Sequence, residues 1–145
     1  MFIGEYNHNV DAKGRVSLPA RFRDELSENF YITRGIDKCL FIYDEKEWSV
    51  MDQKIRGLRL TAKAARGFSR LFYSGAMELS CDKLGRITIP PQLRSFADIE
   101  KEVVIIGVSD RIEIWAKDEW DTYMNEDSMN YDDLTDRLED FDIDL

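Results

Sequence analysis

The chain has 145 residues, of which 43% are apolar, 12% aromatic and 34% charged, and its net charge is -9. At about 100 to 150 residues per domain this length holds one ordinary domain or two very small ones, with enough apolar residues for a packed core. No run of about 18 apolar residues is available to cross a bilayer, and the start MFIGEYNHNVD lacks the basic and apolar regions of a signal peptide, so a cytoplasmic protein is expected.

The first element expected is a β-hairpin. Tyr6 to Val10 and Val16 to Leu18 flank the turn Asp11-Ala12-Lys13-Gly14. There Asp can accept backbone N–H bonds and Gly can take a positive φ. Pro19 suits the first turn of a short helix through Leu26, with Phe22 and Leu26 on one face. Phe30 to Thr33 and Leu40 to Tyr43 are rich in β-branched and aromatic residues and read as a strand pair. Asp44 with Glu47 has capping-box spacing, and the following basic stretch is expected to continue as one helical arm until Gly75 ends it.

The chain then repeats itself. Val10-Asp11-Ala12-Lys13-Gly14-Arg15-Val16-Ser17-Leu18-Pro19 recurs as Cys81-Asp82-Lys83-Leu84-Gly85-Arg86-Ile87-Thr88-Ile89-Pro90 at an offset of 71. Gly35, Leu40, Ile42, Tyr43, Glu47 and Trp48 match Gly107, Ile112, Ile114, Trp115, Glu119 and Trp120 at an offset of 72. The second copy therefore predicts the same elements: a turn at Asp82 to Gly85, a helix at Pro90-Pro91, strands at Val103 to Ile106 and Ile112 to Trp115, and a helix from Asp118. A copy of about 45 residues is too small for an independent core, so the two are expected to share one as an internal pseudo-dimer.

Charge is distributed very unevenly. From Asp118 to Leu145 there are twelve acidic residues against one basic, Arg137, so that stretch carries -11 and the rest of the chain +2. Between Gln53 and Met77 stand Lys54, Arg56, Arg59, Lys63, Arg66 and Arg70 with no Asp or Glu. The basic segment reads as a scaffold arm with a solvated face, free to pair with an acidic surface of a neighbouring subunit. Leu134, Leu138, Phe141 and Leu145 recur at spacings of four, three and four, so the tail is expected to form an amphipathic helix that docks on a partner or on the assembly itself.

The twin D-x-x-G-R turns, each followed by an apolar-polar-apolar-Pro run, resemble the MraZ family, and the likeness covers nearly the whole chain. That resemblance implies an α+β, mainly β fold: tandem SpoVT/AbrB-like swapped-hairpin units forming an internal pseudo-dimeric double-split β-barrel, with linking and C-terminal helices. It divides the chain into one unit at 5–47, a basic helical linker at 48–75, a second unit at 76–119 and an acidic helix or tail at 120–145. It implies a bacterial transcriptional regulator, cytoplasmic and nucleoid-associated, whose partner is double-stranded DNA. Binding is to direct repeats upstream of the division and cell-wall gene cluster, by a homo-oligomeric ring of about eight or more subunits. The family's D-x-x-x-R motif stands here as Asp11 to Arg15 and Asp82 to Arg86. The strongly acidic C-terminal end departs from what DNA contact would ask.

The chemistry of the turns agrees with that role. Arginine offers a planar fork suited to phosphate and to the O6/N7 edge of guanine, and lysine adds a mobile charge. Lys13, Arg15, Lys83 and Arg86 are the expected DNA contacts, with Asp11, Gly14, Asp82 and Gly85 shaping the turns. A second reading is that Asp11 and Asp82 pair with Arg15 and Arg86 and stiffen the turns. The two are compatible, because a carboxylate can hold an arginine and leave part of its fork free.

Other features are expected to be structural. Cys39 and Cys81 read as small buried thiols. His8 reads as a strand or turn residue, so no metal site or nucleophile–base pair is expected. Trp48 and Trp120 read as core or subunit-contact residues. Phosphate-loop, dinucleotide-binding and nucleophile-elbow motifs are absent from the sequence, so neither an enzyme, a cofactor nor a small-molecule substrate is expected. Two other functions remain beside DNA regulation: an antitoxin-like module of the same superfamily, and a scaffold ring that does not bind specific DNA.

Overall fold

The computed structural model describes residues 1–126 and 130–143. In chain order the elements are β1 (Phe2–Asn9), β2 (Arg15–Ser17), α1 (Ala20–Glu25), β3 (Phe30–Arg34), β4 (Leu40–Asp44), α2 (Glu45–Arg56), α3 (Lys63–Ser74) and β5 (Met77–Leu79). There follow β6 (Arg86–Thr88), α4 (Pro91–Phe96), β7 (Glu102–Ser109), β8 (Ile112–Ala116), α5 (Lys117–Asn125) and α6 (Tyr131–Asp136), then a 3₁₀ turn at Arg137–Phe141. No described helix is long and apolar enough to cross a membrane.

The fold is α+β. One six-stranded sheet runs β1-β7-β8-β4-β3-β5 with antiparallel ladders, and a separate two-stranded ribbon pairs β2 with β6. Exchanging the two copies reverses the six-strand order and reproduces it. Phe41 faces its own repeat equivalent, Glu113, and Val16 faces its equivalent, Ile87. Equivalent residues can meet only on a symmetry axis, so an approximate two-fold passes through both pairs.

The central strands β4 and β8 are buried on both faces, and their side chains alternate between two apolar layers at the period of a strand. Ile32, Leu40, Ile42, Val103, Ile105, Ile112 and Ile114 face inward and meet Val16, Leu18, Ile87 and Ile89 of the ribbon segments, with Phe22 of α1 and Leu93 of α4. Phe41, Tyr43 and Trp115 point the other way, into a layer closed by Ile55 of α2, Phe72 of α3 and Tyr123 of α5. The copies thus share one core, as their size requires.

Several expected elements are present. Asp44 caps α2, its Oδ1 accepting from the Glu47 N–H at 2.8 Å. Gly75 ends α3. Cys39 is buried and Cys81 partly so. Trp48 stacks on Tyr31 and Phe72 at 4.7 and 5.3 Å, and Trp120 packs on Trp115 at 5.3 Å, as core residues would. His8 lies on β1.

Three expectations are corrected. The strands around each turn do not pair with one another: β1 ladders with β7 over eight residues and β5 with β3, while β2 and β6 pair together. β1 thereby gains a ladder of eight residue pairs with the opposite copy, where β2 offers only three residues. The basic arm is two helices, because Gly57, costing about 1 kcal/mol inside a helix, ends α2. Arg66 then ties the connecting loop by donating to the carbonyls of Leu60 and Thr61. That break turns α3 back so that Phe72 reaches Trp48. The tail is a six-residue helix capped by Asn130 and followed by a 3₁₀ turn, not one continuous helix, and Leu145 lies outside the described residues.

Candidate nucleic-acid interface

Each repeated turn is closed by its aspartate. Asp11 Oδ1 accepts from the backbone N–H of Lys13 and of Arg15, both at 2.9 Å, and its Oδ2 accepts from Arg15 Nε at 2.7 Å. The second turn repeats this atom for atom. Asp82 Oδ1 accepts from Leu84 and Arg86 N–H at 2.9 Å, and Oδ2 from Arg86 Nε at 2.9 Å. The backbone bonds from Arg15 and Arg86 are the main reason that the two carboxyls sit below the ordinary carboxylate range. Gly14 and Gly85 take φ of +81° and +76°, where a side chain is strained.

Because the aspartates engage only Nε, the terminal Nη groups of Arg15 and Arg86 carry no hydrogen bond among the described residues. The ribbon aims them. Val16 and Ile87 point into the core, so Arg15, Ser17, Arg86 and Thr88 stand on the opposite, outer face. Arg15 is opposite Thr88 and Arg86 opposite Ser17, which makes the arginines diagonal neighbours roughly 7 to 8 Å apart. Lys13 and Lys83 are exposed at the turns. They are not equivalent: by the repeat, Lys83 matches Ala12, and Leu84, 69% exposed, stands where the first turn has Lys13.

The turns are fastened across the two copies. Leu18 N–H donates to Gly85 O at 3.1 Å, and Ile89 N–H donates to Gly14 O at 2.9 Å. Arg23 Nε donates to Leu18 O and Arg94 Nε to Ile89 O, at 3.1 and 3.0 Å. Arg23 thereby lies against Gly85, and Arg94 against Gly14, closely enough to bury both glycines. Sequence reasoning missed these two arginines. Their signal is in the sequence, since Arg23 and Arg94 keep the offset of 71 beyond Pro19 and Pro90.

The fold and this face define a two-copy α+β protein with one shared core, displaying twin aspartate-closed basic turns on a two-stranded ribbon. The family model described as "MraZ protein, putative antitoxin-like" matches the chain twice, over residues 1–71 and 72–142. The chain is 57% identical to the transcriptional regulator MraZ of Finegoldia magna over 143 residues, covering 99% of this chain and all of that one. It is 51% identical to the protein of the same name from Alkaliphilus metalliredigens and 48% to that from Ligilactobacillus salivarius, each with the same coverage. The chain belongs to the MraZ family.

Proposed function

We propose that this chain is a sequence-specific DNA-binding transcriptional regulator that acts as a homo-oligomeric ring on direct repeats upstream of the division and cell-wall gene cluster, in the cytoplasm and associated with the nucleoid. The observation that carries this reading is the pair of aspartate-held arginines, Arg15 and Arg86, on the outer face of the β2–β6 ribbon with free Nη groups among the described residues. A two-stranded ribbon is one of the two shapes that the major groove admits, and an arginine fork reads guanine there. Lys13 and Lys83 add phosphate contacts, and Arg23 and Arg94 hold the turns and extend the basic face. The reading includes the fold's finer description: units at 5–47 and 76–119 form a double-split barrel of exchanged hairpins, which the cross-copy bonds of Leu18 and Ile89 support.

The test is a gel-shift on the DNA upstream of the chain's own gene, against the same fragment with its repeats scrambled. Retardation of the native fragment alone is expected at physiological salt, because non-specific binding rests on phosphate charge and weakens steeply there. Equal retardation of both fragments would sink sequence-specific regulation. No retardation of either, with a large assembly in solution, would leave the scaffold ring.

A further inference from the structure

The loop between α2 and α3 leaves a groove of about 400 Å³ that the DNA-binding reading does not use. Ile55, Leu58 and Leu60 give it an apolar lining, and four arginines, Arg56, Arg59, Arg66 and Arg70, also line it, Arg56 being paired with Asp52. Leu60 is 80% exposed, and Leu71 and Phe68 extend the apolar surface along α3. Among the described residues, Arg59 and Arg70 have neither an acidic partner nor a hydrogen bond, while Arg66 is engaged with the loop carbonyls. The groove is therefore cationic and greasy together.

One described segment of the chain has the complementary character. Asp132, Asp133, Asp136, Glu139, Asp140 and Asp142 surround Leu134, Leu138 and Phe141 over α6 and the 3₁₀ turn. None of these six carboxylates pairs with a cation among the described residues, and Phe141 is 71% exposed. Within its own chain this segment packs chiefly on itself.

We infer that the α2–α3 groove receives the acidic C-terminal segment of a neighbouring copy, and this rests on the proposed assembly of copies. Arg59 and Arg70 meet the carboxylates of α6, and Leu134 and Phe141 cover Leu58 and Leu60. A DNA backbone would satisfy the arginines and leave the leucines exposed; an acidic, apolar-studded peptide satisfies both. Groove and tail are different patches, so the contact is heterologous. Repeated from copy to copy, such a contact closes into a ring or runs on as a filament.

The test uses two full-length variants that leave the core untouched. The groove variant is Arg59→Glu with Arg70→Glu, and the tail variant is Asp132→Lys with Asp133→Lys and Asp136→Lys. Sedimentation velocity at low salt should show each, alone, in smaller species than the unsubstituted chain, with the assembly midpoint shifted by about tenfold or more. Mixing the two should restore the large species, because every contact in an alternating assembly is again between opposite charges. Variants that keep the native size would overturn the docking while leaving the ring standing, and an unsubstituted chain that stays a monomer would remove ring and docking together. If mixing fails and only one chain carrying both sets assembles, the tail docks in its own molecule and the inference is wrong. Loss of DNA binding by the groove variant at unchanged size would make the groove a DNA face instead.

Discussion

Arg94 of the second copy occupies the space that a β-carbon on Gly14 of the first would need: such a carbon would stand 2.8 Å from the guanidinium carbon. Arg94 also donates to Ile89 O, and Ile89 N–H donates back to Gly14 O. The turn of one copy is thus packed by Arg94 from the helix of the other and hydrogen-bonded by Ile89, just ahead of that helix. Gly14→Ala must both strain a φ of +81° and displace Arg94, and is expected to cost roughly 1 to 3 kcal/mol of stability. Gly85→Ala should do the same through Arg23. Gly67 is the contrast: it lies inside α3 with nothing within 4 Å of an added β-carbon, so Gly67→Ala should stabilise by about 1 kcal/mol. Thermal denaturation of the three variants decides, and a stabilised Gly14→Ala would refute the packing argument.

Arg15→Ala should weaken operator binding by about 1 to 3 kcal/mol for each base contact fully lost, and leave the assembly intact. Arg86→Ala should behave alike, since both guanidinium groups are held through Nε in the same way. Fluorescence anisotropy on operator DNA, read beside sedimentation, separates the two roles of these residues. Small species would mean that the arginines chiefly stiffen the turns; full affinity from an intact assembly would remove the turns from the DNA interface.

Local pattern made the turns, most strand positions, the Asp44 cap and the shared core legible, because each rests on side chains close in sequence or repeated at a fixed offset. Strand partners were not legible. Tyr6 to Val10 and Val16 to Leu18 read as a hairpin by proximity, yet β7 of the other copy offers β1 eight backbone pairs where β2 has only three residues. Gly57 was passed over inside a helical pattern, since its weakness as a helix former shows only once Phe72 has to return to the sheet. Glu113, 7% exposed, sits in an alternating strand where a charge normally marks a wet face. Its burial depends on Arg111 and Trp115 donating to its two oxygens, contacts that no spacing rule contains.

That carboxylate supplies the next expectation. Glu113 Oε2 accepts from Arg111 Nε at 2.9 Å and Oε1 from Trp115 Nε1 at 3.0 Å, beside the two-fold axis, and Arg111 also covers the Phe41 ring. Arg111→Ala leaves the buried charge with one neutral donor and should cost about 2 kcal/mol or more. The double variant Arg111→Ala with Glu113→Gln should recover part of that loss. Chemical denaturation measures both, and a double variant less stable than Arg111→Ala would contradict the unpaired-charge explanation.

Acid should loosen the turns, but late. Asp11 and Asp82 are held below their ordinary range in the folded chain, chiefly by the backbone N–H of Arg15 and Arg86. A carboxylate lowered on folding contributes stability that is fully present above its unfolded value and is lost as pH falls through the folded one. Between pH 7 and about 5 the turns should therefore not change, with loss beginning below about 4. Amide NMR shifts of Lys13, Arg15, Leu84 and Arg86 followed against pH report this directly. A transition near pH 6 would assign the turns' pH sensitivity to another group.

DNA recognition should be multivalent. One protomer presents two turns with few charged contacts, so each encounter alone should be weak, whereas the proposed ring would repeat the same ribbon around its circumference. Once one subunit is bound, its neighbour meets the next repeat at high effective concentration, and affinity can rise by about 10²-fold or more without any new type of contact. Geometry sets the condition. Adjacent subunits reach the same side of the duplex only if repeats lie about one turn apart, roughly 10 to 10.5 base pairs, unless DNA or protein distorts. Neighbours in a ring are related head to tail, which matches direct repeats and not palindromes. Inserting about five base pairs between repeats turns one site to the opposite face, whereas about ten return it. The shorter insertion should cost most of the multivalent gain and the longer one much less, measured by gel-shift titration on otherwise identical fragments. If the shorter insertion binds as tightly as native spacing, or one repeat binds as tightly as several, the subunits read their sites independently.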